Sequence, residues 1–187
     1  MTIRAHSLAW TPVFLLAVSL IFNVTLVARL RPGSTAPKRP SPVLGSSVPE
    51  IVAYRLGGAK ETVRLVGTDR PTLLYVLRPD CHWTLQNMPN FNALSDASGR
   101  EFSVVGLSLS ALGLAEFVQG YHVSVPIYYG ADPRVIERLG VSGTPETLLI
   151  STRGTVLRSW RGAYSPKVQK EIGSQLQLQF PGLATLQ

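Results

Sequence analysis

The stretch PTLLYVLRPDCHWTLQNMPNF (residues 71–91) decides the fold that we expect for this chain. It opens with a near-continuous apolar run, Thr72–Leu77, which is typical of a central β-strand buried on both faces. A short turn leads to Cys81, and a helical pattern follows over His82–Ala97, where Pro89 should produce a kink. The pattern therefore predicts a buried strand that delivers a cysteine to the start of a helix.

Cys81 is the only cysteine of the chain. A lone cysteine is often a small buried apolar residue. At a helix start, however, unpaired backbone N–H groups favour the thiolate. Arg78 and a protonated His82 would favour it further, whereas the carboxylate of Asp80 would oppose it. The expected net effect is a thiol pKa below its ordinary value.

From about residue 50 onward, β-rich runs alternate with helical patterns. Besides Thr72–Leu77, the predicted strands are Ile51–Arg55, Thr62–Val66, Phe102–Leu107, Pro126–Tyr129, Glu146–Ser151 and Thr155–Trp160. The further predicted helices are Leu112–Gln119, Asp132–Leu139 and a last helix from Ser165-Pro166 to about Gln179. This order predicts an α/β sheet that is covered by helices on both faces.

The net charge of +7 is concentrated at the beginning of the chain. Residues 1–40 carry five basic residues and no acidic ones, whereas residues 41–187 hold 13 basic and 11 acidic residues. A nucleic-acid partner would require a basic stripe on the domain itself, and the sequence shows none. His6 and His122 lack partners at metal-ligand spacing, so we expect neither a metal nor a cofactor.

The segment Leu8–Ala28 contains no charged side chain over 21 residues. As a helix it would be about 31 Å long, which matches the hydrocarbon core of a bilayer. A cleaved signal peptide is the alternative, but the nearest cleavage site, Ser34-Thr35-Ala36, is followed by Pro37. We therefore expect a tail (1–7), a transmembrane helix (8–28), a Pro/Ser-rich linker (29–49) and one domain (50–187).

Three landmarks in the domain resemble the thioredoxin-like superfamily, and specifically the membrane-anchored redoxins of the TlpA type, which are AhpC-TSA-like. Cys81 and Pro89 are eight positions apart, Leu139-Gly140-Val141 follows, and then Gly143-Thr144-Pro145. The resemblance covers roughly residues 46–178. It implies a central mixed sheet of four or five strands flanked by helices, with Cys81 facing a cis Pro145.

The sequence departs from this family at the second active-site cysteine, whose position is occupied by Thr84. The family's aromatic residue before the first cysteine is replaced by Asp80. Without a second thiol, Cys81 cannot release a mixed disulfide by forming an internal one. The remaining chemistry is attack on a disulfide followed by an external thiol, or oxidation by peroxide to sulfenic acid. Peroxiredoxins have a threonine three residues before the reactive cysteine, whereas this chain has Arg78 there. The mismatch favours thiol exchange over peroxidase activity.

The resemblance also implies roles for the residues around the thiol. Thr144 and Pro145 would present their backbone to an extended peptide, although a structural turn proline is the alternative. Thr84 would hydrogen-bond the thiolate. Trp83 is either a contact for a partner protein or a core residue. His82 is either an exposed residue at the helix start or a proton shuttle.

Two classes of function follow. The first is a thiol-disulfide oxidoreductase with an antioxidant role in redox homeostasis, which acts on protein thiols or disulfides through Cys81. The second is a redox-inactive module that uses the thioredoxin groove to bind a protein partner. The resemblance implies a single-pass membrane protein whose domain lies outside the cytoplasm. The positive-inside rule favours the opposite side, since Arg4 alone precedes the helix and four basic residues follow it.

Overall fold

The computed structural model describes residues 14–20, 22–23, 25, 42 and 44–186, and the chain forms two compact units, residues 1–39 and 40–187. In the first unit the described residues are helical and exposed. The ends of the expected span Leu8–Ala28, the tail before it and most of the linker lie outside the described residues. None of the helices within the described ranges combines the length and the apolar character needed to traverse a bilayer. The transmembrane segment therefore stays a prediction.

The second unit is built on a mixed β-sheet. Its strands are β1 (Val52–Arg55), β2 (Lys60–Thr62), β3 (Thr72–Leu77), β4 (Ser103–Ser108), β5 (Ile127–Tyr129), β6 (Glu146–Ile150) and β7 (Val156–Arg161). Across residues 44–186 these seven strands form one sheet in the order β2-β1-β5-β4-β3-β6-β7. The expectation of four or five strands was wrong, because β1 pairs with β5 and so joins the β1–β2 hairpin to the sheet.

Strand β3 lies inside the sheet, and all of its residues are buried. It runs parallel to β4 and antiparallel to β6, while β4 runs parallel to β5. The carboxyl ends of β3, β4 and β5 therefore share one edge of the sheet with the start of β6. This edge is where side chains from distant parts of the chain can meet.

The helices are α1 (His82–Gln86), α2 (Met88–Ala97), α3 (Leu114–Gly120), α4 (Pro133–Arg138) and α5 (Pro166–Leu176). The expected single kinked helix is two helices that meet at Asn87. Pro89 explains the break, since it lacks the N–H that would bond the carbonyl of Leu85 in a continuous helix. Asp132, where the predicted helix begins, caps α4, because its carboxylate accepts from the N–H of Arg134 at 2.8 Å.

Apolar side chains cover both faces of the sheet, as the alternation along β3 requires. Leu73, Tyr75 and Leu77 belong to the cluster that includes residues of α2, α3 and α5. Leu74 and Val76 belong to the opposite cluster, which includes five buried residues between 48 and 65, and Val135 and Ile136 of α4 pack against it. Helices therefore pack against both faces of the sheet, as predicted.

The second strand of the N-terminal hairpin was misplaced by the sequence pattern. The expected strand was Thr62–Val66, whereas β2 is Lys60–Thr62. Val63 and Leu65 are buried in the core and lie outside β2, although the N–H of Val63 still donates to the carbonyl of Ile51 at 2.8 Å. Their alternation has the same period as a strand, because any extended segment with one buried face shows it.

Candidate active site

Cys81 immediately precedes α1, after the turn that follows β3. Its N–H donates to the carbonyl of Arg78 at 3.2 Å, and its own carbonyl accepts from the N–H of Leu85 at 3.0 Å. The residue has extended backbone angles, φ −85° and ψ 117°, and its side chain is half-buried. The predicted placement of the cysteine at a helix start is confirmed.

The Cys81 thiol faces the segment that precedes β6. Its Sγ donates to the carbonyl oxygen of Thr144 at 3.2 Å, although the two residues are 63 positions apart. The Thr144-Pro145 peptide bond is cis. The antiparallel pairing of Val76 with Glu146 brings this segment to the carboxyl end of β3. The structure thus brings the Thr144-Pro145 segment to Cys81, as the family resemblance implies.

Thr84 lies one helical turn after Cys81 and is completely buried. Its hydroxyl Oγ1 has no hydrogen-bond partner among the described residues. An unpaired buried hydroxyl costs about 1–3 kcal/mol of stability. Position 84 therefore carries a buried hydroxyl that forms no hydrogen bond with the described residues.

The pKa of the Cys81 thiol is lowered from its ordinary value. Burial of the sulfur raises the pKa, since it disfavours the charged form. Hydrogen bonding by the side chain of Thr144, by the backbone N–H and side chain of Thr84, and by the N–H of Trp83 outweighs burial. The Thr84 hydroxyl is thus one of the groups that favour the thiolate.

The charges beside the thiol are paired with each other. Arg78 Nε lies 3.0 Å from Asp80 Oδ1, and Arg78 Nη2 lies 2.9 Å from Asp80 Oδ2. This two-bond pair raises the pKa of Arg78 and lowers the pKa of the Asp80 carboxyl. Asp80 is therefore paired with Arg78, and it is not the free opposing charge that the sequence predicted.

Also, α1 has only five residues, so a long helix dipole does not act on the sulfur. The thiol pKa is lowered by individual hydrogen-bond donors and not by a helix macrodipole. The direction predicted for the thiol pKa was right, and the predicted N–H groups at the helix start contribute to it, together with the side chains of Thr144 and Thr84.

His82 and Trp83 both lie on the surface. The His82 ring meets the Trp83 ring edge-on, with centroids 5.4 Å apart. Trp83 is 55% exposed, so the alternative of core packing was wrong for this residue. Nowhere in the described part of the chain are three or more His, Cys, Asp or Glu side chains grouped to hold a metal ion. The remaining interpretation of Trp83 is a contact for a partner protein, since its ring is exposed.

A buried polar cluster lies behind the active-site helix, and the sequence analysis did not find it. Asn87 Nδ2 donates to the Tyr75 hydroxyl at 3.0 Å, while Asn87 Oδ1 accepts from Asn90 Nδ2 and from the Tyr164 N–H, each at 2.9 Å. The Tyr164 hydroxyl shares a 2.6 Å hydrogen bond with the Thr147 hydroxyl. The available signal was the pair of asparagines three residues apart in a helical pattern, where an apolar face was expected.

Burial sets the protonation of both tyrosines in this cluster. It raises the pKa of Tyr75 well above the ordinary value, with smaller contributions from Tyr164 and Cys81. It also raises the pKa of Tyr164, against a hydrogen bond from Thr147 that lowers it. Both phenols are therefore neutral hydrogen-bonding groups at physiological pH.

A largely apolar cavity of about 260 Å³ opens near the same edge of the sheet. Its walls are Ser108, Leu109, Gly130, Ala131, Pro133 and Ile136. These residues follow or end β4 and β5, the two strands parallel to β3. The cavity therefore lies at the carboxyl ends of β4 and β5.

Comparison with known proteins identifies the fold. Neither a protein-family model nor a curated protein matches this chain. Among solved structures, it is similar to the thioredoxin domain of a thiol-disulfide oxidoreductase from Bacteroides vulgatus, with 16% identity, a TM-score of 0.58, and coverage of 73% of this chain and 99% of that one. The chain has a thioredoxin-like fold.

Two further solved structures agree. StoA from Bacillus subtilis has 16% identity and a TM-score of 0.54, with coverage of 67% of this chain and 98% of that one. A peroxiredoxin-like protein from Aquifex aeolicus has 16% identity and a TM-score of 0.58, with coverage of 74% and 88%. At such identities the likeness concerns the fold, and function has to be argued from the site.

Proposed function

We propose that this chain is a membrane-tethered, monothiol thiol-disulfide oxidoreductase with Cys81 as its nucleophile. The observation that carries the proposal is the placement of Cys81 at the start of α1, where the Thr84 hydroxyl, which lacks a partner among the described residues, and the N–H groups of Thr84 and Trp83 lower the pKa of the thiol. A merely structural cysteine gains nothing from such a donor. A nucleophile does, because the thiolate is the reacting species.

The reaction proceeds in two exchanges. The Cys81 thiolate attacks one sulfur of a substrate disulfide, so that a new S–S bond forms at Sγ and the second substrate sulfur leaves as a thiolate that takes up a proton. An external thiol, deprotonated, then attacks the substrate sulfur of the mixed disulfide and releases Cys81 as the thiolate. An external thiol is required because the chain has one cysteine.

The surrounding residues supply positioning. Thr84 and the N–H of Trp83 stabilise the thiolate before attack and after release. The Thr144–Pro145 backbone lies against the sulfur and offers hydrogen-bonding groups to an extended substrate. The exposed Trp83 ring provides apolar contact area for a protein substrate.

A direct test is the pH dependence of Cys81 alkylation, followed by trapping of the mixed disulfide. We expect half-maximal alkylation below the ordinary thiol value of about 8.5, and release of one thiol per chain from an aromatic disulfide. The Cys81→Ser variant is the control that abolishes both. A thiol that titrates at or above the ordinary value and resists the disulfide would leave the binding-module alternative.

The second candidate is a redox-inactive module for a protein partner. The exposed Trp83 and the absence of a second cysteine from the sequence favour it. It predicts that Cys81→Ser keeps partner binding whereas Trp83→Ala loses it. An oxidoreductase would instead require Cys81 for its covalent complex.

A peroxidase is a lesser alternative, supported by the same lowered thiol pKa. Its first product would be a sulfenic acid, with the peroxide O–O bond broken and one oxygen transferred to sulfur. The Arg78 guanidinium is paired with Asp80, which reduces its availability to a peroxide. Faster consumption of hydrogen peroxide than of disulfide would favour this alternative.

The tether is the segment 8–28, and we propose that the domain lies outside the cytoplasm. The length and apolar character of this segment support the anchor, and the family resemblance supports the side. Protease treatment of spheroplasts tests both. Digestion of the domain before lysis supports this location, and digestion only after lysis contradicts it.

A further inference from the structure

We propose that the C-terminal tail, residues 178–186, is a strap that positions the active-site helix α1 against the Cys81 sulfur. The proposal rests on the thiol chemistry proposed above. The tail follows α5, which ends before Gln177, a residue with a left-handed φ of 53°. From residue 178 the side chains alternate between half-buried and exposed positions, as in an extended segment with one face against the domain.

The tail contacts the active-site helices directly at two points. The N–H of Ala184 donates to the carbonyl of Gln86, the last residue of α1, at 2.8 Å. The N–H of Gly182 donates to Oδ1 of Asn90 in α2 at 3.0 Å. Both contacts flank Asn87, where the two helices meet.

These contacts also join the tail to the buried polar cluster. Asn90 donates to Asn87, whose own side chain donates to the Tyr75 hydroxyl. Nearer the start of the tail, the Phe180 ring packs edge-on against Tyr164, with centroids 5.5 Å apart. The junction of α1 and α2 is therefore held from inside by Asn87 and from outside by the tail.

Gly173 leaves space for the tail to fold back over α5. A Cβ atom at Gly173 would lie 2.5 Å from the carbonyl oxygen of Leu178, which is closer than any such contact allows. The N–H of Leu178 donates to the carbonyl of Gly173 at 3.0 Å. Glycine in the middle of a helix costs stability relative to alanine, so its presence here is explained by the tail.

The strap matters to the thiol because α1 is too short to hold itself. A helix of five residues is unstable alone, and its last carbonyls have no partners within the helix. The groups that lower the thiol pKa include Thr84 and the N–H of Trp83, which both belong to α1. A firmly held carboxyl end of α1 keeps these donors aimed at Sγ.

Two variants of the full-length protein in detergent test the strap. Ala184→Pro removes the N–H that reaches Gln86, and Thr185→Pro is its control, since no backbone hydrogen bond of Thr185 is seen among the described residues. Gly173→Ala displaces the tail without changing its sequence, and Gln175→Ala is the control on an exposed position of α5. The measurement is the Cys81 alkylation rate as a function of pH.

We expect each test variant to raise the pH midpoint and to slow alkylation near neutral pH about threefold relative to its control. Unchanged midpoints together with lowered melting temperatures would show a purely structural tail and overturn the strap. A low wild-type midpoint that the variants leave unchanged overturns the strap alone. A wild-type midpoint at the ordinary thiol value overturns both the strap and the proposed function.

Discussion

The Cys81 thiol donates a hydrogen bond to the carbonyl oxygen of Thr144, 3.2 Å away. Thr144 directly precedes the cis proline, Pro145. The same residue's side chain contributes to the lowering of the thiol pKa. Thr144 therefore interacts with both protonation states of the sulfur, through its backbone in one and through its side chain in the other.

Thr84→Val separates the stability of the protein from the reactivity of its thiol. The variant removes a buried hydroxyl that has no partner within residues 44–186, so the free energy of unfolding should rise by about 1 kcal/mol. The thiolate loses a donor at the same time, so alkylation near neutral pH should slow about threefold. Chemical denaturation and alkylation kinetics measure the two effects.

Thr72→Val is the matched control for this experiment. Thr72 also carries a buried hydroxyl without a partner in the described structure, but it lies at the opposite end of β3 from Cys81. We expect a similar gain in stability and no change in alkylation. Slower alkylation in both variants would mean that the Thr84 hydroxyl has no specific effect on the sulfur.

Thr84→Cys should convert the site into a dithiol. The introduced thiol would stand one turn after Cys81 in a position that is fully buried, which is suitable for an internal disulfide. We expect the oxidised variant to lose both free thiols and the reduced variant to reduce a model disulfide without an external thiol. Thiol counting checks the first result. Two persistently free thiols under oxidising conditions would contradict the proposed geometry.

Asp80→Asn should make the thiol more acidic, because the Arg78 guanidinium is released from its two-bond pair. Arg78 and the thiolate already stabilise each other, as the raised pKa of Arg78 includes a contribution from Cys81. The alkylation midpoint should fall, and added salt should weaken the effect since both side chains are exposed. Arg78→Gln is the counterpart and should raise the midpoint. Equal midpoints in the two variants would exclude a role for this pair.

Alkaline pH should destabilise the domain through Tyr75 and Tyr164. Their folded-state pKa values are raised, mainly by burial, so unfolded chains lose these protons first. Their contribution to stability is complete below the unfolded value of about 10 and is lost as the pH rises toward the folded values. Melting temperatures at increasing pH, with tyrosinate absorbance recorded in parallel, measure this loss.

Tyr75→Phe identifies the source of that alkaline loss. It should lower stability at neutral pH by about 1–3 kcal/mol, since Asn87 loses its acceptor. It should also make the decline above pH of about 10 shallower. Tyr54→Phe, at an exposed tyrosine, should retain the wild-type decline. An unchanged decline in the Tyr75 variant would place its cause elsewhere.

The sequence was most informative where the chain has a single structural role. Strand β3 was predicted with its observed ends, Thr72 and Leu77, because a continuous apolar run is bounded by Pro71 and Arg78. The meeting of Cys81 with Pro145 came from family resemblance, since no local pattern reports a contact over 63 residues.

The polar cluster and the tail were missed for physical reasons. Asn87 looks like an ordinary helix residue, and its value lies in partners such as Tyr75 and Tyr164 that only the fold supplies. The last helix was extended to about Gln179, whereas it ends at Leu176. A left-handed φ at Gln177 has no sequence signal as clear as a glycine would give.

The position of Thr144 in the chain also determines when the thiol becomes reactive. Synthesis reaches Cys81 well before it reaches Thr144, which supplies both the carbonyl and the side chain that contact the sulfur. A nascent chain that lacks β6 therefore lacks one of the groups that lower the pKa of this thiol, and only the donors of Thr84 and Trp83 are then present. The full lowering of the thiol pKa requires the completed domain, so coupling to other thiols near neutral pH is favoured most in the folded protein. The rate of alkylation is, for the same reason, a built-in reporter of native folding.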